Sequence, residues 1–329
     1  MGCLFSKSGV ISSNDDSNQR KSDSSAEVPQ QKPKTKKLNI VPEPSVSRNN
    51  NDQDLRVKAT EVLPHPPKTK KRDIIPDPKV FKVIDEHALK APGSLRSSVS
   101  ELVCYLVKPA KNNLERVRSF YRWITDNIRY DTEGYFSGLK SSCDPQDVLK
   151  SGRSVCQGYA DLFSAFCREV NIPAKTISGH AKGYSYDPDT AITPSTKTNH
   201  AWNAVFLDSD WRFVECTWGA GHLNERTFTK EFTEFYFLTD PEDFITEHYP
   251  YMEKAEKPDS RWQLMKKPIT IEEFCRRVHL RSTALEFGVN PISHTSGVLE
   301  VQSDATIAIQ DGHKKIESWI IVKQRYQYE

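Results

Sequence analysis

The stretch GRSVCQGYADLFSAFCREV, residues 152–170, predicts the fold more strongly than any other part of the sequence. Its apolar residues recur every three or four positions, at Tyr159, Leu162, Phe163, Phe166, Cys167 and Val170. This spacing is typical of an amphipathic helix with one face on a core. Cys156 lies in the first turn, where unpaired backbone N–H groups and the helix dipole favour a thiolate. Gly158 leaves room for a group to approach the sulfur.

A cysteine nucleophile needs a base, and the base needs a group that orients it. Candidates lie downstream on the two arms of a predicted hairpin, where His200 begins HAWNAVFLD and Glu215 lies in WRFVECTWGAG. Taken singly, a buried cysteine is usually a small core residue and a strand histidine is usually structural. The ordered set of cysteine, histidine and carboxylate instead indicates a catalytic triad.

The turn of this hairpin is predicted within residues 208–210, the sequence Asp-Ser-Asp. A two-residue loop at residues 209–210 would place His200 opposite Gly219. Glu215 would then lie four residues away, about 13 Å along an ideal strand. Strand twist, a bulge or a different loop is therefore required to bring the two side chains together.

Three tryptophans, Trp202, Trp211 and Trp218, occur in the same two arms. They are predicted to cluster around His200 and Glu215, where apolar rings would exclude water and strengthen the hydrogen bonds of the triad. Packing within the sheet is an alternative role for all three.

Several motifs together resemble the kyphoscoliosis peptidase family, including the hillarin-like proteins, within the transglutaminase-like superfamily. The motifs are CQGYADLFSAFC, SGHAKGYSY and NHAWNAVFLDSDWRFVECTWGAGH, preceded by IDEHALKAP and RSFYRWITDNIRYD and followed by FYFLTDPEDFITEHYP and RWQLMKKPITIEEF. The resemblance covers about Val80 to Leu280. It implies an α+β fold with a transglutaminase-like, papain-like cysteine protease core.

The resemblance also implies a Cys-His-Asp site carried by Cys156, His200 and position 215. The family usually has aspartate at the third position, whereas this chain has Glu215, whose side chain is one methylene longer. His180 is not expected to be the catalytic histidine. The family generally has an aromatic residue in that segment, and no carboxylate follows His180 at a suitable spacing.

Composition limits the classes of partner and compartment. Charged residues make up 27% of the 329 residues, but the net charge is only +2, which argues against a nucleic-acid partner. The seven cysteines are scattered without a CxxC pair, a pattern that predicts a reducing compartment rather than a disulfide framework or a zinc site. No apolar run approaches the roughly 18 residues of a membrane helix, and no signal peptide is expected.

The N-terminal sequence MGCLFSKSG fits an acceptor for N-myristoylation at Gly2, and Cys3 is a candidate for palmitoylation. One myristoyl chain binds membranes only marginally, so a second lipid or basic residues would be needed. Residues 1–79 carry fifteen basic and ten acidic side chains, a net charge of +5. The segment is predicted to be a disordered, lipidated tail on the inner face of the plasma membrane; a merely solvated tail is the alternative.

This tail contains a repeat. PKTKKLNIVPEPSV begins at Pro33 and PKTKKRDIIPDPKV begins at Pro67. Proline-bounded segments of this kind are typical of extended linkers. Duplication of a linker would explain the repeat, and a short partner-binding motif in two copies is the alternative.

The predicted folded region, residues 80–280, starts with two amphipathic helices separated by Pro109, and Trp123 on the second is predicted to lie in the core. Asp144 is predicted to cap a short helix that reaches Leu149. Residues 281–329 are predicted to form a β-rich C-terminal extension, because alternating runs occur at 298–301, 305–309 and 319–322.

These features predict a membrane-anchored cysteine hydrolase or peptidase that acts on a protein or peptide by acyl transfer, associated with the cytoskeleton. The backbone N–H of Cys156 is the expected oxyanion donor. No cofactor or metal is expected, and no compact acidic loop indicates calcium binding. A protein cross-linking transglutaminase and a non-catalytic scaffold at the membrane–cytoskeleton boundary are the alternatives.

Overall fold

The computed structural model describes residues 62–184, 186–187, 190, 192–193, 195–251, 259–286, 288–291, 296–297 and 309–310. The α-helices in these ranges are α1 Lys71–Ile74, α2 Lys82–Leu89, α3 Val99–Leu106, α4 Asn113–Asn127, α5 Thr132–Ser137, α6 Pro145–Ser151, α7 Cys156–Glu169, α8 Cys216–Ala220, α9 Pro241–Phe244, α10 Ile271–Arg276 and α11 Ser282–Glu286. The strands are β1 Arg129–Tyr130, β2 Arg153–Ser154, β3 Ala174–Ala181, β4 His200–Leu207, β5 Asp210–Val214, β6 Gly221–Asn224, β7 Thr227–Lys230, β8 His248–Pro250, β9 Asn290–Pro291 and β10 Ile309–Gln310.

A four-stranded antiparallel sheet in the order β5-β4-β3-β8 carries helix α7 on one face. Strands β3 and β4 pair from Ala174 opposite Val205 to Gly179 opposite His200. The start of helix α7 and the start of strand β4 therefore belong to two layers that pack directly on each other. The mixture of helices with an antiparallel sheet confirms the predicted α+β class.

Helix α7 buries the predicted apolar stripe. Tyr159, Leu162, Phe163, Phe166 and Cys167 are each 0% exposed. The ring centroid of Phe166 lies 5.5 Å from that of Phe120 and 5.8 Å from that of Trp123, both on helix α4. Full burial of the one leucine and two phenylalanines in this set stabilises the fold by roughly 5–9 kcal/mol in aggregate, at about 1.5–3 kcal/mol each before chain entropy is subtracted. The helix is therefore a central element of the core.

The sequence also predicts the helices before α7 correctly. Helices α3 and α4 lie on either side of Pro109, and Trp123 is buried in the core. Helix α4 begins where the Asn112 side chain accepts a hydrogen bond from the Glu115 N–H. Helix α6 begins where Asp144 accepts hydrogen bonds from two backbone N–H groups, as expected of an N-cap.

The turn of the β4–β5 hairpin lies one residue earlier than the predicted two-residue loop at residues 209–210. Its two turn residues are Asp208 and Ser209, both with positive φ, as in the type I′ turn that matches strand twist. Leu207 pairs with Asp210, and the register continues to Asn203 opposite Val214. Extending that register brings Glu215 two residues from the position opposite His200, on the same face of the hairpin. A different loop thus halves the predicted separation along the strand, from about 13 Å to about 7 Å.

The described chain includes residues before the predicted boundary at Val80. Residues 62–79 run along the domain: the Trp211 indole donates to the Val62 carbonyl at 3.1 Å, and Ile75 is only 4% exposed. This part of the predicted tail buries apolar surface by contacting the domain. Gly2, Cys3 and the first copy of the repeat lie outside the described residues.

Little of the predicted C-terminal extension lies within the described ranges. Strands β9 and β10 pair antiparallel, with Pro291 opposite Ile309. The predicted runs at 298–301 and 319–322 lie outside those ranges. Among the helices of the described segments, none has the length and apolarity needed to cross a membrane.

Candidate active site

Cys156 is the first residue of helix α7 and is partly exposed. The residue before it, Val155, is the N-cap and offers no capping side chain to the N–H groups of the first turn, of which the Gly158 N–H donates to the Val155 carbonyl at 2.9 Å. Gly158 has a different role from the predicted one. A Cβ there would collide with the side chain of Ser154 and approach Val148, so the missing side chain allows close packing of the helix start.

His200 and Glu215 are in direct contact. The Nε2 atom of His200 lies 2.8 Å from Oε2 of Glu215. The imidazole is 8% exposed and the carboxylate 0% exposed. With Nε2 engaged by the carboxylate, Nδ1 is the ring nitrogen that remains to exchange a proton with the cysteine. The structure therefore brings the three predicted residues into one constellation, while their catalytic roles stay predictions.

The extra methylene of Glu215 is accommodated by its position at a helix end. Glu215 is the N-cap of helix α8, and its Oε1 accepts hydrogen bonds from the backbone N–H groups of Thr217 and Trp218 at 2.6 and 3.1 Å. One carboxylate oxygen is thus fixed by the backbone and the other is directed at His200. Two N–H groups and the helix dipole favour negative charge at this position, and the longer side chain still reaches the imidazole.

The electrostatics of the site favour a charged imidazole. Burial by itself lowers the pKa of His200, but the carboxylate of Glu215 and the adjacent Cys156 outweigh it and raise the pKa to about 10. His200 therefore carries a proton at neutral pH when these partners are charged. An imidazolium next to a cysteine stabilises the thiolate, which is the nucleophilic form of the side chain.

A buried amide fixes the distance between the cysteine helix and the histidine strand. Asn203, on strand β4, is 0% exposed. Its Nδ2 donates to the carbonyl of Ala160 at 3.0 Å and to Oγ of Ser164 at 2.9 Å, both on helix α7. These bonds join the two elements that carry the candidate nucleophile and base.

Two of the three predicted tryptophans contact the site. The rings of Trp218 and Trp202 lie 5.2 and 6.1 Å from that of His200. The prediction was wrong for Trp211, whose ring lies at the turn end of the hairpin, 5.2 Å from that of Trp262. Trp211 pairs with Phe206, and Trp202 lies four residues farther along strand β4. The two tryptophans are therefore well separated along the hairpin.

His248, on strand β8, completes the wall of the site and was missed by sequence reasoning. It is 0% exposed, its ring is stacked on Phe244 at 4.1 Å, and its Nε2 lies 3.7 Å from Oε2 of Glu215. Within the described residues neither ring nitrogen makes a hydrogen bond. Burial first, and then the charges of His200 and His279, hold its pKa well below the usual value, so the ring is neutral.

The signal that could have found His248 was its place in the motif FITEHYP, which belongs to a segment covered by the family resemblance. Its spatial role follows from strand pairing, since Ala181 of strand β3 lies opposite His248. One ligand atom each from His200, Glu215 and His248 lie within 4.8 Å of one another, close enough to hold a metal ion. Such an ion would compete with the His200–Glu215 contact.

A cleft of about 1000 Å³ opens beside His200. Several aromatic side chains line it, namely Tyr130, Tyr135, Tyr184, Trp218, Phe228 and Phe232. The segment that precedes His200 contributes Gly183, Tyr184 and Tyr186 to the lining. Tyr130 keeps its phenolic proton, because burial and then the charge of nearby Cys156 raise its pKa.

The other cysteines differ from Cys156 in environment. Cys167 and Cys216 are buried, and burial raises the pKa of both thiols. Cys104 is exposed and Cys143 is half-buried. His180 is also buried, at the β3–β8 contact opposite Tyr249, and does not join the constellation. These positions agree with the choice of Cys156 and His200 as the candidate pair.

Comparisons with known proteins agree with this geometry. Residues 100–216 match the model of the family described as Transglutaminase-like superfamily. The chain is 34% identical over 233 residues to kyphoscoliosis peptidase of Mus musculus, covering 70% of this chain and 34% of that protein. It is 30% identical over 240 residues to hillarin of Drosophila melanogaster, covering 69% and 28%.

A solved structure of a TGase is 16% identical and covers 64% of this chain and 46% of its own, with a TM-score of 0.31. The chain spans about a third of the length of the curated relatives it matches.

Proposed function

This chain belongs to the transglutaminase-like superfamily, and on that premise we propose that it is a cysteine hydrolase acting on a protein or peptide by acyl transfer. Cys156 is the nucleophile, His200 the base and acid, and Glu215 the orienting carboxylate. The observation that carries the proposal is the 2.8 Å contact between His200 and Glu215, whose second oxygen is fixed by two backbone N–H groups. A structural role for the His200–Glu215 pair would not require the partly exposed thiol of Cys156 beside it.

The chemistry begins with attack of the Cys156 sulfur on a carbonyl carbon. The carbonyl oxygen gains negative charge, which the N–H groups at the start of helix α7 stabilise. The C–N bond then breaks, and the leaving amine takes the proton of His200. Water or a second amine attacks the resulting thioester, gives its proton to His200 and releases the Cys156 thiolate. Glu215 keeps the imidazole in the orientation that serves both transfers.

Two observations favour different acceptors for the acyl group of the thioester. Aromatic side chains around the cleft would exclude water from the thioester and favour an amine acceptor. The resemblance to kyphoscoliosis peptidase supports water. Incubation with a labelled primary amine and a glutamine-containing peptide separates the two: amine incorporation identifies cross-linking chemistry, and release of a free carboxylate identifies hydrolysis.

The test of the proposal is labelling with a thiol-directed electrophile across pH, followed by mass spectrometry that resolves each cysteine peptide. Cys156 is expected to react at lower pH and faster than exposed Cys104, which serves as the ordinary thiol in the same sample. Equal rates for these two cysteines at all pH values would contradict an activated nucleophile. The chain would then be better described as a transglutaminase-like scaffold.

Attachment to the inner face of the plasma membrane and association with the cytoskeleton are further parts of the proposal. They rest on the Gly2–Cys3 acceptor sequence and on the resemblance to hillarin-like proteins. Gly2→Ala is expected to release the chain from membranes. Cys3→Ser is expected to leave weak, salt-sensitive binding, because one lipid chain contributes too little alone. A natural chain with an unmodified Gly2 would refute the lipid anchor.

A further inference from the structure

The second copy of the PKTKK repeat, residues 67–80, lies in a groove at the turn end of the β4–β5 hairpin. We define this docking groove by the domain residues that bind the copy, which are Asp210, Arg212, Glu234, Phe235, Asp240 and Glu242. None of these residues belongs to the triad, although Glu234 also lines the cleft beside His200. The contacts with the copy involve no triad residue, so the role of the groove in holding the segment is a question apart from catalysis.

The groove binds the beginning of the copy largely through its backbone. The N–H of Lys68 donates to Oδ2 of Asp210 at 2.9 Å. The Arg212 guanidinium donates to the carbonyl of Thr69 at 3.1 and 3.2 Å and to its hydroxyl at 2.7 Å. Asp210 and Arg212 are each 4% exposed. Buried charged groups that meet a peptide in this way specify where the segment docks.

Two lysines and an isoleucine fix the rest of the copy. Lys71 donates from its N–H to Oδ1 of Asp240 at 2.9 Å, and from Nζ to two carbonyl oxygens of residues 234 and 235 at 2.6 and 3.3 Å. Lys70 pairs with Glu242 at 2.6 Å. Ile75 is 4% exposed and belongs to the main core. The copy is thus recognised at its lysines, its threonine and its apolar residue.

The first copy, residues 33–46, carries each of these recognition groups at the same spacing. Nine of the fourteen positions are identical in the two copies, and they include the whole PKTKK run. The buried isoleucine corresponds to Val41, a conservative change. The three non-conservative differences fall at exposed positions of the docked copy, where Arg72, Asp73 and Lys79 correspond to Leu38, Asn39 and Ser45.

From this pattern we propose that the docking groove is a recognition site for the PKTKK segment and that the first copy of the same chain is its alternative occupant. The copies exchange by a register shift of 34 residues. Residues 33–46 then take the place of 67–80, and the 34 residues after them form a loop whose ends lie close together. Loop entropy grows only slowly with length, so the exchange is disfavoured but not prevented.

The intact second copy holds the groove because it needs no such loop. The first copy takes over where the second is weakened or bound elsewhere. In either register only one lysine run occupies the groove. In the docked second copy Lys70 pairs with Glu242, and Nζ of Lys71 is bound by two carbonyl oxygens. We therefore expect the run outside the groove to be the one available to an anionic surface.

A sequence transplant tests recognition directly in the full chain. Residues 67–80 are given the sequence of the first copy through Arg72→Leu, Asp73→Asn, Ile75→Val, Asp77→Glu and Lys79→Ser. The melting temperature is expected to stay within about 2 °C of the natural chain, since only one buried methyl group is lost. A matched control with Thr69→Ala and Lys71→Ala, which removes conserved contacts, is expected to melt several degrees lower. Equal or larger destabilisation by the transplant would overturn the proposal.

A double-mutant cycle tests the exchange itself. Lys37→Ala with Val41→Ser, in the first copy, is expected to leave the melting temperature unchanged while the second copy is intact. Lys71→Ala with Ile75→Ser is expected to lower it, and the combination of all four is expected to lower it further than the sum. If the first-copy changes have no effect in either background, the first copy does not enter the groove.

If the variant with Lys71→Ala and Ile75→Ser does not fold, Lys71→Ala alone takes its place in the cycle. The same non-additivity of the melting temperatures is expected.

The occupant is identified by a photo-crosslinking amino acid at position 36 in the Lys71→Ala background. A crosslink to residues 231–250 of the same molecule supports the proposal. Crosslinks between isotopically distinct molecules alone would overturn it in favour of exchange with a second copy of the chain.

Discussion

Each end of the β4–β5 hairpin buries one basic and one acidic side chain in contact, and the two pairs have different roles. At the open end, His200 meets Glu215, and at the turn end, Arg212 meets Asp210 at 3.5 Å. The guanidinium at the turn end donates to Thr69 of the docked segment, so its donors are used in binding the chain. The imidazole at the open end keeps one nitrogen for a neighbouring thiol. Both ends bury charged side chains. The end with His200 differs because one ring nitrogen remains able to exchange a proton.

The tryptophans show the same division. Trp202 and Trp218 surround the imidazole, whereas Trp211 donates its indole N–H to Val62 and packs on Trp262. At the open end the rings exclude water from a charged pair, and at the turn end a ring fastens the N-terminal segment. Reactivity and stability should therefore respond separately to changes at the two ends.

The largest expected effect comes from removing the nucleophile or the base. Cys156→Ala should abolish the fast electrophile labelling and leave the melting temperature within about 2 °C, because the side chain is small and partly exposed. His200→Ala should move the onset of labelling to higher pH, since no imidazolium then stabilises the thiolate. Site-resolved mass spectrometry measures both. Fast labelling of buried Cys167 or Cys216 in the natural chain would contradict the assignment.

The next effect concerns the carboxylate. Glu215→Gln keeps an oxygen to cap helix α8 but removes the charge beside His200, so labelling of Cys156 should slow by about 10²- to 10⁴-fold. Glu215→Asp keeps the charge and the cap but withdraws the carboxylate from His200 by about 1.5 Å, one C–C bond, and should slow labelling less. The labelling rate is followed together with the melting curve.

The matched control for this prediction is Asp210→Asn, at the other end of the hairpin. It removes a buried carboxylate that contacts Lys68 and Arg212, so the chain should melt at lower temperature while Cys156 keeps its reactivity. If Glu215→Gln left the labelling rate unchanged, Glu215 would belong with Asp210 as a structural residue.

A moderate effect is expected from the turn end. Arg212→Ala removes three hydrogen bonds to Thr69 and leaves Asp210 with fewer partners in a buried place. The cost of stranded buried polar groups is about 1–3 kcal/mol, or a fall in melting temperature of about 2–4 °C for each kcal/mol. Thermal unfolding measures this change. A labelling rate that fell together with the melting temperature would show that the two ends are coupled.

The last expected effect is a pH dependence of stability. The folded state raises the pKa of His200 from 6.5 to about 10. The charged imidazole therefore contributes its full stabilisation below about pH 6.5, and this contribution decreases with rising pH and is lost above about pH 10. Melting curves of the natural chain should show this decline between those values. His200→Gln should flatten it, and an unchanged slope would mean that the imidazole is not charged in the fold.

Local sequence was sufficient for the elements and for the residue types of the site. The apolar spacing after Ser154 determined helix α7, and the helices on either side of Pro109 and the Asp144 cap followed from the same short-range rules. Cysteine, histidine and carboxylate could be recognised because their chemistry requires those side chains in a favourable local setting. Helix spacing and capping depend on neighbours within a few residues, so the sequence contains them directly.

Only the tertiary structure decided how these residues meet. The choice of Asp208 and Ser209 as the turn set the register that brings Glu215 near His200. Pairing of strands β3 and β8 brought His248 to the site from 48 residues beyond His200 in the chain. Strand register and the docking of residues 62–79 are set by packing between segments distant in sequence. Because a one-residue shift in a turn redirects every side chain of a strand, such contacts are determined by the whole fold.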